Sequence, residues 1–132
     1  MKIAIIVAMN KELQLLLPLI SNKQTSEINN FKFTSGSIGK HDVIAMQCGI
    51  GKVNSAIGTL TMIDNFLPDL VINTGVAGGL YEKLNVGDIV ISSDVVQHDM
   101  DATGFGYKLG EIPRMETSTF CADKDMIKLA KE

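Results

Sequence analysis

Residues 2–9, KIAIIVAM, constrain the fold more than any other segment of the chain. After Lys2 the run is continuously apolar and half β-branched, so no alternate position is left to face water. A strand of this kind must be covered on both faces, as it is inside a parallel sheet. Parallel strands need crossover connections, and the chain supplies them. Asn10 can cap a helix through its side-chain oxygen, and Leu13, Leu16, Leu17 and Ile20 follow at helical spacing. Pro18 is expected to kink or shorten that helix, because it lacks an N–H and clashes with the preceding turn. A second helix is expected over 53–66, with Val53, Ala56, Ile57, Leu60, Ile63 and Phe66 or Leu67 along one stripe and Pro68 ending it.

Further strands are expected at 31–36 and 41–49, joined by a short turn at Gly39 and Lys40, and at 69–75 and 88–94. Polar residues 21–30 read as a loop. Residues 97–119, with Gly104, Gly106, Gly110 and Pro113, read as a long loop of the kind that often carries function. A last helix begins near Asp123 and is cut by the end of the chain. Strands alternating with helices imply an α/β fold, with a central mixed, largely parallel sheet flanked by helices. No repeat or linker divides the chain, so residues 1–132 are expected to form a single α/β domain.

Composition closes off several classes. With 45% hydrophobic and 20% charged residues, the chain is globular rather than disordered. Its net charge of −3 is spread without a basic stripe, so no nucleic-acid partner is expected. No apolar run reaches the roughly 20 residues that span a bilayer, so no membrane partner is expected either. The first residues lack a signal-peptide cleavage pattern. Cys48 and Cys121 form no ligand or disulfide pattern, and with seven methionines they suit a reducing cytoplasm.

In open α/β sheets, ligands bind beyond the carboxyl ends of the strands. Three features fall at such ends: Glu12 after strand 2–9, Gly49-Ile50-Gly51-Lys52 after 41–49, and Gly75-Val76-Ala77-Gly78-Gly79 after 69–75. If the strands are parallel neighbours, the three converge on one crevice. Taken alone, Glu12 reads first as a first-turn acid favoured by the helix dipole. The GIGK turn lacks the remaining glycine and hydroxyl of a phosphate loop, and Asn54 stands where a dinucleotide fingerprint needs glycine. Three glycines and an alanine within five positions at 75–79 favour close approach of a ligand. His98, Asp99 and Asp101 are too few for a metal site, and Ser92 and Ser93 lack a nucleophile elbow. No metal and no cofactor is expected.

Four segments in order carry a resemblance: MKIAIIVAMNKE, CGIGKVNSA, PDLVINTGVAGGL and NVGDIVISSDVVQHDMDATGFGYKLGEIPRM. Together they resemble the methylthioadenosine/S-adenosylhomocysteine nucleosidases, within the nucleoside phosphorylase superfamily, from Met1 to about residue 120. The resemblance implies an α/β fold around a central mixed sheet and a homodimer. It also implies hydrolysis of the N-glycosidic bond of 5′-methylthioadenosine and S-adenosylhomocysteine, releasing adenine and a 5-thio-substituted ribose. By the same resemblance Glu12 is the general base that activates water, and Met9 and Ile50 line the substrate pocket. Val76, Ala77 and Gly78 lie beside the base and sugar, and Phe105 and Pro113 reach across the dimer to the partner's alkylthio pocket. Many relatives carry serine at the position of Val76, where a hydroxyl would help to hold the water.

The resemblance further implies that the general-acid aspartate and a ribose-binding glutamate lie beyond residue 132. On that reading the chain is an N-terminal portion, truncated at its C-terminus, with little activity by itself. Alternatives are a nucleoside phosphorylase or futalosine-type hydrolase on the same fold, or an inactive truncated fragment. A phosphorylase needs a basic phosphate site. Residues 21–30 offer only Lys23, and no arginine precedes Arg114, which favours hydrolysis.

Overall fold

The computed structural model describes all of residues 1–132, which divide into two compact units, Met1–Gly78 and Gly79–Glu132. The first unit is built on a five-stranded mixed sheet in the order β2-β3-β4-β1-β5. Its strands are β1 (Lys2–Val7), β2 (Ser21–Ile28), β3 (Phe31–Ile38), β4 (His41–Gln47) and β5 (Leu70–Asn73). β1 lies between β4 and β5 and runs parallel to both, with Ile5 aligned to Ala45 on one side and Ile72 on the other. β2, β3 and β4 form an antiparallel meander on the far side.

The two-residue period of a strand sends neighbouring side chains to opposite faces, and each face of β1 has its own core. Ala4 and Ile6 join Phe33, Ile44, Met46 and Met62 under helix α2 (Lys52–Phe66). Ile5 joins Ile20, Val43 and Ala45 under helix α1 (Asn10–Leu16). Pro18 does shorten α1: the chain leaves the α-helix at Leu16 and continues as one 3-10 turn, Leu17–Leu19. The Lys2 ammonium donates to the Phe66 carbonyl at 2.8 Å, placing a cation on the carboxyl end of α2.

Four local expectations are corrected. Residues 21–30 are not a loop, because 21–28 form edge strand β2. All of its residues but Ile28 are exposed, so no apolar alternation marks it; the mark is Asn29-Asn30, both at positive φ (52° and 64°), which makes the tight hairpin turn. Asn10 does not cap α1; it is the first helical residue, and the Glu12 carboxylate reaches back to accept the N–H groups of Ala8 and Met9, just before the helix. Within residues 1–132 the segment 88–93 pairs with no strand, and Ile89 and Val90 lie exposed. An apolar run with no ladder partner cannot satisfy its backbone as a strand.

The fourth correction concerns α2. Of its expected apolar stripe only Phe66 packs inward: Val53 is 73% exposed and Leu60 60%, and Ile57 and Ile63 are also exposed. The face against the sheet is Gly58, Thr61 and Met62, with the Phe66 ring tilted against that of Phe33, centroids 4.9 Å apart. At Gly58 the helix comes closest to the strands. A Cβ on Gly58 would collide with the Met46 methyl and come within 3.2 Å of both Cys48 Cβ and the Phe31 ring. Gly58→Val is therefore expected to destabilise the unit by about 2–3 kcal/mol, overpacking outweighing the gain in helix propensity. Urea unfolding checks this; an unchanged midpoint would show that the helix can lift freely.

The second unit carries a two-stranded antiparallel ribbon, β6 (Asp94–Val96) with β7 (Thr119–Cys121). Between them the expected long loop runs without strands and holds one 3-10 turn, Thr103–Phe105. Helix α3 (Lys124–Ala130) starts where expected, its Met126 N–H donating to the Asp123 carboxylate at 2.9 Å. No helix in the chain is long and apolar enough to cross a membrane.

Candidate active site

The carboxyl ends of β4, β1 and β5 lie side by side, because those strands are parallel neighbours. Backbone pairing continues one step past them, Cys48 N–H donating to the Val7 carbonyl (2.8 Å) and Thr74 N–H to the Ile6 carbonyl (3.1 Å). Gly49 and Gly51 then take φ of +90° and +99°, a region that favours glycine, and the sharp turn lets α2 begin at Lys52. The three sequence features at these strand ends thus converge on one crevice of about 440 Å³ within the first unit. Its walls include Glu12, Ser55, Asn73, Thr74, Val76 and Ala77.

Glu12 is held by backbone alone. One carboxylate oxygen, Oε2, accepts the N–H of Met9 (2.8 Å) and of Ala8 (3.0 Å). The other, Oε1, accepts the N–H of Val76 at 2.9 Å, from 64 residues along the chain. The N–H groups of Val76, foremost, and of Met9 hold its carboxyl below the usual glutamate range; partial burial opposes them, and Ala8 adds a smaller push downward. A carboxylate has about four acceptor positions. Three are filled here, which leaves one on Oε1, beside the Gly75-Val76 turn.

Gly75 makes this contact possible. A Cβ there would stand 2.5 Å from Oε1 and 2.8 Å from Cδ of Glu12. The rest of the turn is looser: a Cβ on Gly78 would meet nothing within 4 Å. The close approach read from the glycine-rich segment is thus, at Gly75, an approach to the protein's own carboxylate.

Of the sequence-derived candidates, Glu12, Val76 and Ala77 line the crevice. Met9, Ile50 and Gly78 are each next in the chain to a lining residue, and Ile50 and Val76 are well exposed. Phe105 and Pro113 belong to the second unit, where Phe105 is 88% exposed on its 3-10 turn. Sequence reasoning passed over Asn73, Thr74 and Ser55. The signal for the first two was present: a polar pair interrupts an apolar strand at its carboxyl end, where a ligand would sit. No three His, Cys, Asp or Glu side chains come together in a way that could hold a metal ion. Asp101 accepts both the hydroxyl (2.7 Å) and N–H (3.0 Å) of Thr103, which lower its pKa and account for it as a loop-turn residue.

The model of the phosphorylase superfamily matches residues 2–132. A 5′-methylthioadenosine/S-adenosylhomocysteine nucleosidase of Desulfotalea psychrophila is 52% identical over 130 residues, covering 98% of this chain and 55% of that protein. The chain thus spans about half the length of the curated relatives it matches. Among solved structures, the nucleosidase of the same description from Neisseria meningitidis, in complex with methylthio-immucillin-A, superposes with a TM-score of 0.93 at 38% identity. It covers 98% of this chain, which spans 56% of it. The nucleosidase of Colwellia psychrerythraea in complex with adenine gives 0.94 at 41% identity, over 99% of this chain and 54% of its own.

Proposed function

The chain belongs to the phosphorylase superfamily, and on that premise we propose that the protein carrying it hydrolyses the N-glycosidic bond of 5′-methylthioadenosine and S-adenosylhomocysteine. The products are adenine and a 5-thio-substituted ribose. The observation that carries this reading is the Glu12 carboxylate, which lines the crevice and is fixed by three backbone N–H groups with one acceptor position unfilled. N-glycoside cleavage develops oxocarbenium character on the sugar, and water attacking such a cation loses a proton as it bonds. Glu12 takes that proton. A carboxylate with a depressed pKa suffices, because the water becomes strongly acidic as it bonds to the cation.

Around this centre Val76, Ala77 and Gly78 lie beside base and sugar, and Met9 and Ile50 give the alkylthio group an apolar wall. The names and bound molecules of the similar proteins, an adenine complex among them, support an adenine nucleoside as substrate. Water is favoured over phosphate as the nucleophile because Lys52 is the only cationic residue lining the crevice. Adenine release by the full-length protein is expected to proceed at the same rate with and without phosphate, giving free sugar. Phosphate-dependent release of a sugar 1-phosphate would overturn hydrolysis.

The working form is a homodimer in which Phe105 and Pro113 reach the partner's site. The exposed apolar stripe of α2 and the exposed Phe105 support association. Sedimentation of the full-length protein as a monomer at micromolar concentration would remove this part. Two free thiols, Cys48 and Cys121, support a reducing, cytoplasmic setting.

A further inference from the structure

A second cavity, of about 690 Å³, opens in the first unit on the same side of the sheet as α1. Cys48 and Gly49, at the end of β4, line both it and the Glu12 crevice. The second cavity therefore begins where the crevice ends, on the side away from β5. Its far wall is polar and cationic: Lys23 and Thr25 from β2, Lys32 and Thr34 from β3, and Gln47 from β4. No acidic residue lines it.

Strand register explains this composition. α1 is only seven residues long and packs over β1 and β4, which leaves the same face of β2 and β3 uncovered. Thr25 and Thr34 are direct cross-strand partners. Phe33 pairs with Met46, so Lys32 stands one position on, beside Gln47 and immediately before the shared Cys48-Gly49 wall. Lys23 is already engaged, its ammonium donating to the Leu17 carbonyl at 3.1 Å. Lys32 is exposed and its ammonium bonds to no group of the protein. Glu27, its cross-strand neighbour, is outside the cavity lining and forms no ion pair with it.

We propose that this groove is a subsite for an anionic tail on the 5′ side of the substrate, with Lys32 as the residue that recognises a carboxylate there. The inference rests on the nucleosidase reading above. With the base beside Val76 and Ala77 at the end of β5 and the sugar at Glu12, the third end of the ligand points toward β4 and β3. Strands lie about 4.8 Å apart, so Lys32 is roughly three strand spacings, or about 14 Å, from the β5 end. A nucleoside extended by an amino-acid thioether spans such a distance; one ending in a methylthio group stops short of it. S-adenosylhomocysteine carries an α-carboxylate at that end, and 5′-methylthioadenosine carries no charge there. Lys32 thus discriminates between the two substrates and leaves the chemical step alone.

The test is kcat/KM of the full-length protein for both nucleosides, in the wild type, Lys32→Gln and Lys32→Glu. For S-adenosylhomocysteine the neutral variant is expected to lose about three- to fivefold and the charge reversal about tenfold, mostly in KM and less at high salt. For 5′-methylthioadenosine both variants change less than about twofold. Because Lys32 is exposed, neither variant threatens folding. Unchanged S-adenosylhomocysteine kinetics overturn the subsite, and so does an equal loss for both nucleosides. A wild-type protein that cleaves neither nucleoside overturns the nucleosidase reading itself, before any variant is compared.

Discussion

Glu12→Gln is expected to lower kcat of the full-length protein by about 10³-fold while a substrate analogue still binds within about tenfold of the wild-type affinity. The carboxylate is wanted for its charge and for its one open acceptor position, and glutamine keeps neither. Its amide offers a single oxygen to a site with three donors. With that oxygen on Ala8 and Met9, the –NH2 group faces the N–H of Val76, two donors opposed, and nothing is left to receive a proton from water. Turnover within tenfold of wild type would remove Glu12 from its role.

The same geometry fixes a pH dependence. Backbone N–H groups, that of Val76 foremost, hold the folded-state pKa below its unfolded value. A depressed carboxylate adds stability that is fully present above the unfolded pKa and lost as pH falls through the folded one. The ionised carboxylate therefore persists below the usual glutamate range. The acid limb of kcat/KM due to Glu12 is expected below the ordinary glutamate range. A Glu12 limb near neutrality would mean that substrate displaces one of the three N–H donors.

Local pattern placed the elements whose burial is symmetric and missed those set by partners elsewhere. β1 was legible because a continuous β-branched run can only be covered on both faces, and the break at Pro18 because its cause is intrinsic to the residue. β2 was not legible as a strand, since an exposed edge needs no apolar alternation and only Asn29-Asn30 announces the hairpin. The buried face of α2 was misjudged for a related reason. The rule that apolar residues face inward gives way where a helix must lie close to a sheet, and there Gly58 outranks Val53 and Leu60. Glu12 was visible as an acid near a strand end. What separates it from any first-turn acid is the N–H of Val76, which a local window cannot contain.

Gly75→Ala is expected to cost about 10²-fold in kcat/KM without unfolding the protein. Sequence alone spreads the importance of the 75–79 segment over three glycines; geometry concentrates it on one. The added methyl would stand 2.5 Å from Oε1 and 3.2 Å from Oε2, so it cannot be absorbed by a small rotation of the carboxylate. Either Glu12 swings away or the Gly75-Val76 turn retreats, and both break the bond from Val76 N–H. A displacement of about 1 Å in a catalytic group is enough for a 10²-fold loss. The loss should come with a raised Glu12 pKa, since the first of the groups depressing it is withdrawn. Gly79→Ala is the control: its Cβ meets only Leu84 at 3.5 Å, an ordinary contact, so activity within about twofold of wild type is expected. Equal effects at Gly75 and Gly79 would show that the segment matters for flexibility. A large loss at Gly75 alone, with the acid limb moved upward, ties it to the placement of one carboxylate.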